Sequence, residues 1–196
     1  MFSEPLEPLG HPFKGHRQAK KAILEWRIPK PVVLVDSREQ KPLRLFKNHP
    51  NWIGGEQRVA LKSCDYSVEG MTTLLALERK SLPDIINCTN SDRQRFIRSC
   101  ERLAKYRWKA ILIEATYEDL KTSYEDLTDV ITQVHPNAVC GTLDAIEAKF
   151  GIPILYTSQN TVLACEKAAS WLSKHFTYWW LEQHGHARVL IDSDGL

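Results

Sequence analysis

No stretch of the chain approaches the roughly 18 consecutive apolar residues of a membrane span. The N-terminal segment, MFSEPLEPLGHPFKGHRQAKK, has neither the apolar stretch nor the small-residue cleavage site of a secretory leader. An intracellular location is expected, in the cytoplasm or, in a eukaryote, the nucleus. The five cysteines, Cys64, Cys88, Cys100, Cys140 and Cys165, are odd in number, dispersed, and never spaced C-x-x-C. That excludes a disulfide framework and gives a zinc site little support, so the thiols are expected to be reduced and packed as small hydrophobes. There is no internal repeat and no low-complexity tract. Charge of one sign is also missing: 26 Lys and Arg face 24 Asp and Glu, for a net charge of +2. Bulk charge therefore does not announce a nucleic-acid partner.

What is present is a globular mixture, 43% apolar and 26% charged, in 196 residues. A single domain of this length buries roughly two thirds of the surface its unfolded chain exposes and needs no covalent staple. Residues 1–30 read as an extension with a short basic helix in 17–27, halted by Ile28-Pro29-Lys30-Pro31. Residues 31–182 read as the domain and 183–196 as a tail. Val32–Val35 is apolar throughout, as in a strand buried on both faces. A second strand is expected in Gln57–Lys62 and a third in Thr72–Lys80, the two forming a hairpin with a turn at Glu69-Gly70. A short helix over Ser81–Cys88 tolerates Pro83 in its first turn. A longer one, capped by Asn90 or Ser91, runs to about Tyr106. Then come a strand at Ala110–Glu114, a helix from Pro136 to Phe150 stopped by Gly151, a strand at Ile152–Tyr156, and a C-terminal helix capped by Thr157 or Ser158. Apolar strands alternating with amphipathic helices define an α/β layered domain.

The third strand ends in charge, Leu77-Glu78-Arg79-Lys80. Alternation places Glu78 and Lys80 on one face and Arg79 on the other. The hairpin would set Asp65 beside Glu78, the first strand delivers Asp36 at its own end, and Asp84 follows one turn into the next helix. Carboxylates converging at strand ends repel one another unless a cation neutralises them, and oxygen donors suit Mg²⁺ or Mn²⁺. Such an ion polarises a phosphoryl oxygen and lowers the pKa of bound water, and a neighbouring lysine stabilises developing negative charge. Glu-x-Lys on an exposed edge strand is equally the signature of a solvated ion pair, and the three residues alone leave both readings open.

The ordered set Val33-Leu34-Val35-Asp36-Ser37-Arg38-Glu39, Cys64-Asp65-Tyr66 and Glu78-Arg79-Lys80-Ser81-Leu82-Pro83-Asp84 resembles the nuclease domain of the XPF family of structure-specific endonucleases. That family is marked by V-D-x-R-E, G-D and E-R-K-x-x-x-D segments, and the resemblance spans roughly Pro31 to Leu172. It implies a PD-(D/E)xK restriction-endonuclease-like core, a central mixed sheet flanked by helices. It further implies Asp36, Asp65 and Glu78 as metal ligands, with Lys80 as the catalytic lysine. Arg38, Glu39, Arg79 and Asp84 match motif positions that would support the site, and the carbonyl of Arg79 would also face the metal. The implied activity is Mg²⁺- or Mn²⁺-dependent hydrolysis of branched or flap DNA, in repair or recombination. Cys64 stands where the family usually has glycine, which implies a slight backbone adjustment. The helix-hairpin-helix module of relatives needs Gly-containing hairpins. No G-x-G occurs, and only Gly185 and Gly195 lie beyond Gly151, so a stand-alone nuclease domain is expected.

Residues 92–109 gather Arg93, Arg95, Arg98, Arg102, Lys105, Arg107 and Lys109 against Asp92 and Glu101. This reads either as a phosphate-contacting helix, with Arg93, Arg95, Arg98 and Arg102 as DNA ligands, or as a solvated helix face. Arg95 matches a family arginine. Lys20, Lys21, Arg27 and Lys30 suggest a second basic patch. No base-reading motif is visible, so DNA shape would supply specificity. Trp171, Phe176, Tyr178, Trp179 and Trp180 crowd the last helix, and any exposed remainder would suit an interface. The resemblance implies a homodimer or pairing with a related subunit. Two rivals remain: a catalytically inactive DNA-binding or scaffold subunit on the same fold, and, more weakly, a nuclease acting on RNA.

Overall fold

A computed structural model describes residues 13–14, 26–124, 134–186 and 190–191. The expected basic helix at 17–27 falls almost wholly outside the described residues, as do Lys20 and Lys21. The main sheet has six strands: β1 (Val32–Asp36), β2 (Gly55–Val59), β3 (Tyr66–Val68), β4 (Leu75–Ser81), β5 (Trp108–Glu114) and β6 (Ile154–Tyr156). Their spatial order is β2-β1-β3-β4-β5-β6. β1 pairs with β2 in parallel and β4–β5–β6 form a second parallel block. Short β3 joins the two blocks by antiparallel pairing on both sides. Phe13–Lys14 and Leu190–Ile191 form a separate small parallel pair. The helices are α1 (Leu45–Asn48), α2 (Leu82–Thr89), α3 (Arg93–Leu103), α4 (Tyr117–Lys121), α5 (Pro136–Phe150) and α6 (Thr161–Gln183).

The wholly apolar strands have the positions that pattern demands, inside the sheet with helices on both faces. Alternation sends Ile111 and Ile113 of β5 into one core with Ile85, Ile86, Phe96, Cys100 and Leu143, from α2, α3 and α5. Ala110 and Leu112 go to the other core with Leu45 and with Ala168, Ala169 and Leu172 of α6. The sheet is thus the middle of three layers, the α/β arrangement the sequence implied.

The hairpin differs from expectation. Gly55–Val59 does not pair with the Glu78 strand. It runs parallel to β1 at the sheet edge. The true hairpin partner is β3, only three residues long, with Tyr66 opposite Leu77 and Gly70 supplying the positive φ of 79° in the turn. Leu61 and Cys64 turn their side chains into the core, which ends β2 early and makes residues 60–65 a loop. Two caps also move. α3 begins after Asp92, which makes no side-chain cap bond. α6 begins after Asn160, whose Oδ1 accepts from the amide of Val162 at 2.9 Å. Pro83 sits in the first turn of α2, which Ser81 caps, and Gly151 stops α5 at φ 59° as expected, whereas β4 starts at Leu75 and α3 ends at Leu103, short of the expected Thr72 and Tyr106.

Candidate active site

Backbone hydrogen bonds stitch the three acid-bearing segments together. The amide of Asp36 donates to the carbonyl of Asp65 at 2.8 Å, and the amide of Asp65 donates to the carbonyl of Leu77 at 3.2 Å. The amide of Arg79 donates to Asp65 Oδ2 at 2.8 Å. Asp36, Asp65 and Glu78 therefore share one end of the sheet, brought together by the β3–β4 hairpin and not by the one expected from Gln57–Lys62. With Lys80 and Asp84 they line a cavity of about 500 Å³, within the range of specific ligand sites.

Each acid is balanced differently. Burial pushes the Asp36 carboxyl up, but Arg38 and the amide of Leu61 outweigh it and hold the group below its ordinary value. Arg38 Nε donates to Asp36 Oδ2 at 2.8 Å, and the Leu61 amide reaches Oδ1 at 3.3 Å. Asp65 goes the other way. Burial and the neighbouring Glu78 charge raise it to about 7, against the stabilising amide of Arg79. Glu78 Oε1 accepts from Lys80 Nζ at 2.6 Å. Burial works against the ammonium of Lys80, but the contact with Glu78 outweighs it and raises that pKa. Cys64, buried beside these acids, is pushed up to about 12 by desolvation and by Glu78 and Asp65, and so stays a neutral thiol. Its backbone is not in the left-handed region, so a side chain is accommodated where the family usually has glycine.

Arg79 points to the opposite face, as alternation requires. Its Nε donates to Glu114, its Nη1 donates to the carbonyl of Lys41 at 2.6 Å, and Glu39 Oε1 lies 3.6 Å away. Arg38 thus contacts Asp36 directly, whereas Glu39 lies beside Arg79. Asp84 Oδ2 accepts from Ser81 Oγ at 2.7 Å at the start of α2.

The donor set fits a hard divalent cation in its chemistry: carboxylate oxygens, with Asp65 raised by burial and then by the neighbouring Glu78 charge. The closed trio read from the sequence is not formed. Among the described residues, no three His, Cys, Asp or Glu side chains converge closely enough to hold a metal. Arg38 contacts Asp36 Oδ2 and Lys80 contacts Glu78 Oε1, so one oxygen of each acid already has a cationic partner.

The arginines of α3 separate. Arg95 and Arg102 line the cavity. Arg93 lies on another face of the helix and donates to Thr142 Oγ1 of α5 at 2.8 Å. Arg98 is exposed and lies outside the cavity lining. Arg107 is tied to Glu182 and stacks over Trp108. Lys30 donates to the carbonyl of Pro50 at 2.8 Å. Sequence reading missed Lys62, Asn87 and Ser99 in the cavity wall, since no local pattern marks them. It also missed Glu114 as the partner of Arg79, although a carboxylate closing an apolar strand was a visible signal. The C-terminal aromatics are partly buried. Trp171, Trp179 and Trp180 pack on the α6 core, and Phe176 lies within it. The exposed apolar side chains of α6 are instead Val162 and Leu163, 64% and 48% exposed.

A mixed sheet between two helical layers, with acids at adjoining strand ends and a Glu-x-Lys strand beneath them, is a restriction-endonuclease-like α/β domain. The family model described as the ERCC4 domain matches residues 35–164, and the chain belongs to that family. Two solved structures share the fold. XPF from Aeropyrum pernix matches at a TM-score of 0.55 and 16% identity, over 78% of this chain and 73% of that one. XPF from Aeropyrum pernix in complex with DNA matches at 0.53 and 20%, over 74% and 66%. Among curated proteins none matches. Among the described residues, no helix is long and apolar enough to cross a membrane.

Proposed function

We propose that this domain is a Mg²⁺- or Mn²⁺-dependent DNA endonuclease acting on branched or flap DNA, of the kind used in repair and recombination. The observation that carries the reading is the convergence of Asp36, Asp65, Glu78 and Lys80 on one cavity whose wall also holds Arg95 and Arg102. Asp65 and Glu78 would hold the ion, with Asp36 joining once Arg38 gives way. When bound, the ion supplies Lewis-acid polarisation of the phosphoryl oxygen and a more acidic water. Lys80, released from Glu78, stabilises the charge that develops on the phosphate. Arg95 and Arg102 hold the strand by its phosphates and carry no sequence information, so selectivity lies in DNA shape.

The test is cleavage of labelled flap, fork and duplex DNA with either metal, comparing wild type with Asp65→Ala and Lys80→Ala. Equal activity in all three proteins would remove the site. One observation favours a second reading, a DNA-binding subunit without catalysis: Asp36 and Glu78 are each already paired with a cation of the chain, Arg38 and Lys80. That reading expects metal-independent DNA binding and no heat of Mn²⁺ binding in calorimetry. The nuclease reading expects Mn²⁺ binding that Glu78→Ala abolishes. Self-association is expected through the exposed start of α6. Sedimentation of wild type against Leu163→Glu tests it, with a dimer converted to a monomer as the expected result and an unchanged profile the opposing one.

A further inference from the structure

The cavity is lined by five cationic side chains. Two are committed to its own acids, Arg38 to Asp36 and Lys80 to Glu78. The other three, Lys62, Arg95 and Arg102, are exposed, and among the described residues none has an ion-pair partner. Two nearby arginines have spent donors: Arg93 in a hydrogen bond to Thr142 and Arg107 in an ion pair with Glu182. Exposed cations on a polar cavity, with donors unspent, are groups placed for an anionic ligand.

The three come from two separate elements. Arg95 and Arg102 stand two turns apart on α3, with Ser99 of the cavity wall between them. Lys62 rides on the loop between β2 and β3, and that loop is fixed on both sides of it. The Leu61 carbonyl accepts from Arg38 Nη2 at 2.6 Å, and its amide donates to Asp36 Oδ1. On the other side the Cys64 side chain is buried in the core. The backbone on both sides of Lys62 is therefore anchored beside the cavity, and its side chain is exposed there, which lowers the ordering cost of the loop on binding.

We propose that Lys62 is a phosphate-binding residue, and that its loop and α3 grip one nucleic-acid strand at two places. Lys62 takes a phosphate on one side of the reacting bond; Arg95 and Arg102 take phosphates on the other. The inference rests on the cavity being the phosphodiester-cleaving site, and it adds to that reading a residue and a strand path. A strand held on both sides keeps the reacting phosphate over Asp65 and Glu78 without contact to any base edge.

The test scans a branched oligonucleotide with a single uncharged methylphosphonate at successive positions near the junction. Binding is read by fluorescence anisotropy at low salt with metal chelated, so that no strand is cut. The proteins are wild type, Lys62→Ala and the Arg95→Ala/Arg102→Ala pair. Two positions should each weaken wild-type binding by roughly fivefold. Lys62→Ala should be insensitive at one of them and the arginine pair at the other. A loss that is uniform along the strand, or both variants becoming insensitive at the same phosphate, overturns the two-grip arrangement. Cleavage is scored separately with Mn²⁺. The two-position pattern without cleavage keeps the grips and removes the hydrolytic reading; cleavage with a uniform pattern does the reverse.

Discussion

Glu78 and Lys80 meet at 2.6 Å across two residues of one strand, their side chains only 14% and 20% exposed. A carboxylate and an ammonium that share one face of a strand, beside half-buried Asp65, are worth more as a pair than either is alone. Lys80→Met should cost about 2 kcal/mol, because it leaves Glu78 uncompensated next to another acid. The double variant Glu78→Gln/Lys80→Met should cost at least about 1 kcal/mol less than the sum of the singles. Urea denaturation of the four proteins measures both quantities. Strict additivity would mean that the contact contributes nothing to folding.

Arg79 ties the reverse side of the same strand to its surroundings. Its guanidinium bridges Glu114 at the end of β5 and the Glu39–Lys41 segment after β1. Glu114→Ala is expected to destabilise by about 3 kcal/mol, since it strands a largely buried cation, and Glu114→Gln by less. Glu114 touches neither the cavity nor a substrate, so its effect on catalysis would pass through the position of Glu78 and Lys80. In the Gln variant kcat should fall at least about fivefold while KM for DNA stays within about twofold. A change in KM alone would place Glu114 in DNA binding instead.

The face assignments of Glu78, Arg79 and Lys80 were legible because strand alternation is local and strict. The acids at one sheet end were legible because apolar strands that finish in charge have few ways to be buried. Strand order was harder. Gly55–Val59 has an irregular pattern and little burial, so nothing in it distinguishes an edge beside β1 from a hairpin with β4. Tyr66–Val68 is too short to show a period at all, although its three side chains are all buried. In the site, the place of Lys62 depends on how a loop packs against the sheet. No spacing of residues in the chain encodes that.

His175 gives a pH dependence unrelated to the site. Its ring is packed at 4.0 Å from Trp171 and 6.3 Å from Trp108, and Nδ1 meets the carbonyl of Trp171 at 2.8 Å. Desolvation lowers its pKa, against the opposing pull of that carbonyl. With the folded pKa depressed, the unfolded chain binds the proton first as pH falls through about 6.5. Stability is then full above that value and declines below it. Between pH 8 and pH 5 the wild type should lose more stability than His175→Phe, measured as the shift in urea midpoint. Parallel profiles would assign the acid sensitivity to other groups.

The four arginines of α3 should not behave alike in DNA binding. Arg93 is committed to Thr142 and faces α5, so Arg93→Ala should lower thermal stability and leave DNA affinity within about twofold. Arg95 and Arg102 line the acidic cavity with unspent donors. Each alanine variant should weaken DNA binding several-fold and reduce the slope of log affinity against log salt by about 1. Arg98, exposed but outside the cavity lining, should show a smaller loss that vanishes near 0.15 M salt, where screening falls to about 8 Å. Anisotropy titrations over a salt series separate the three classes. An equal slope change for Arg93 and Arg95 would show that the whole helix face, and not the cavity wall, meets the phosphates.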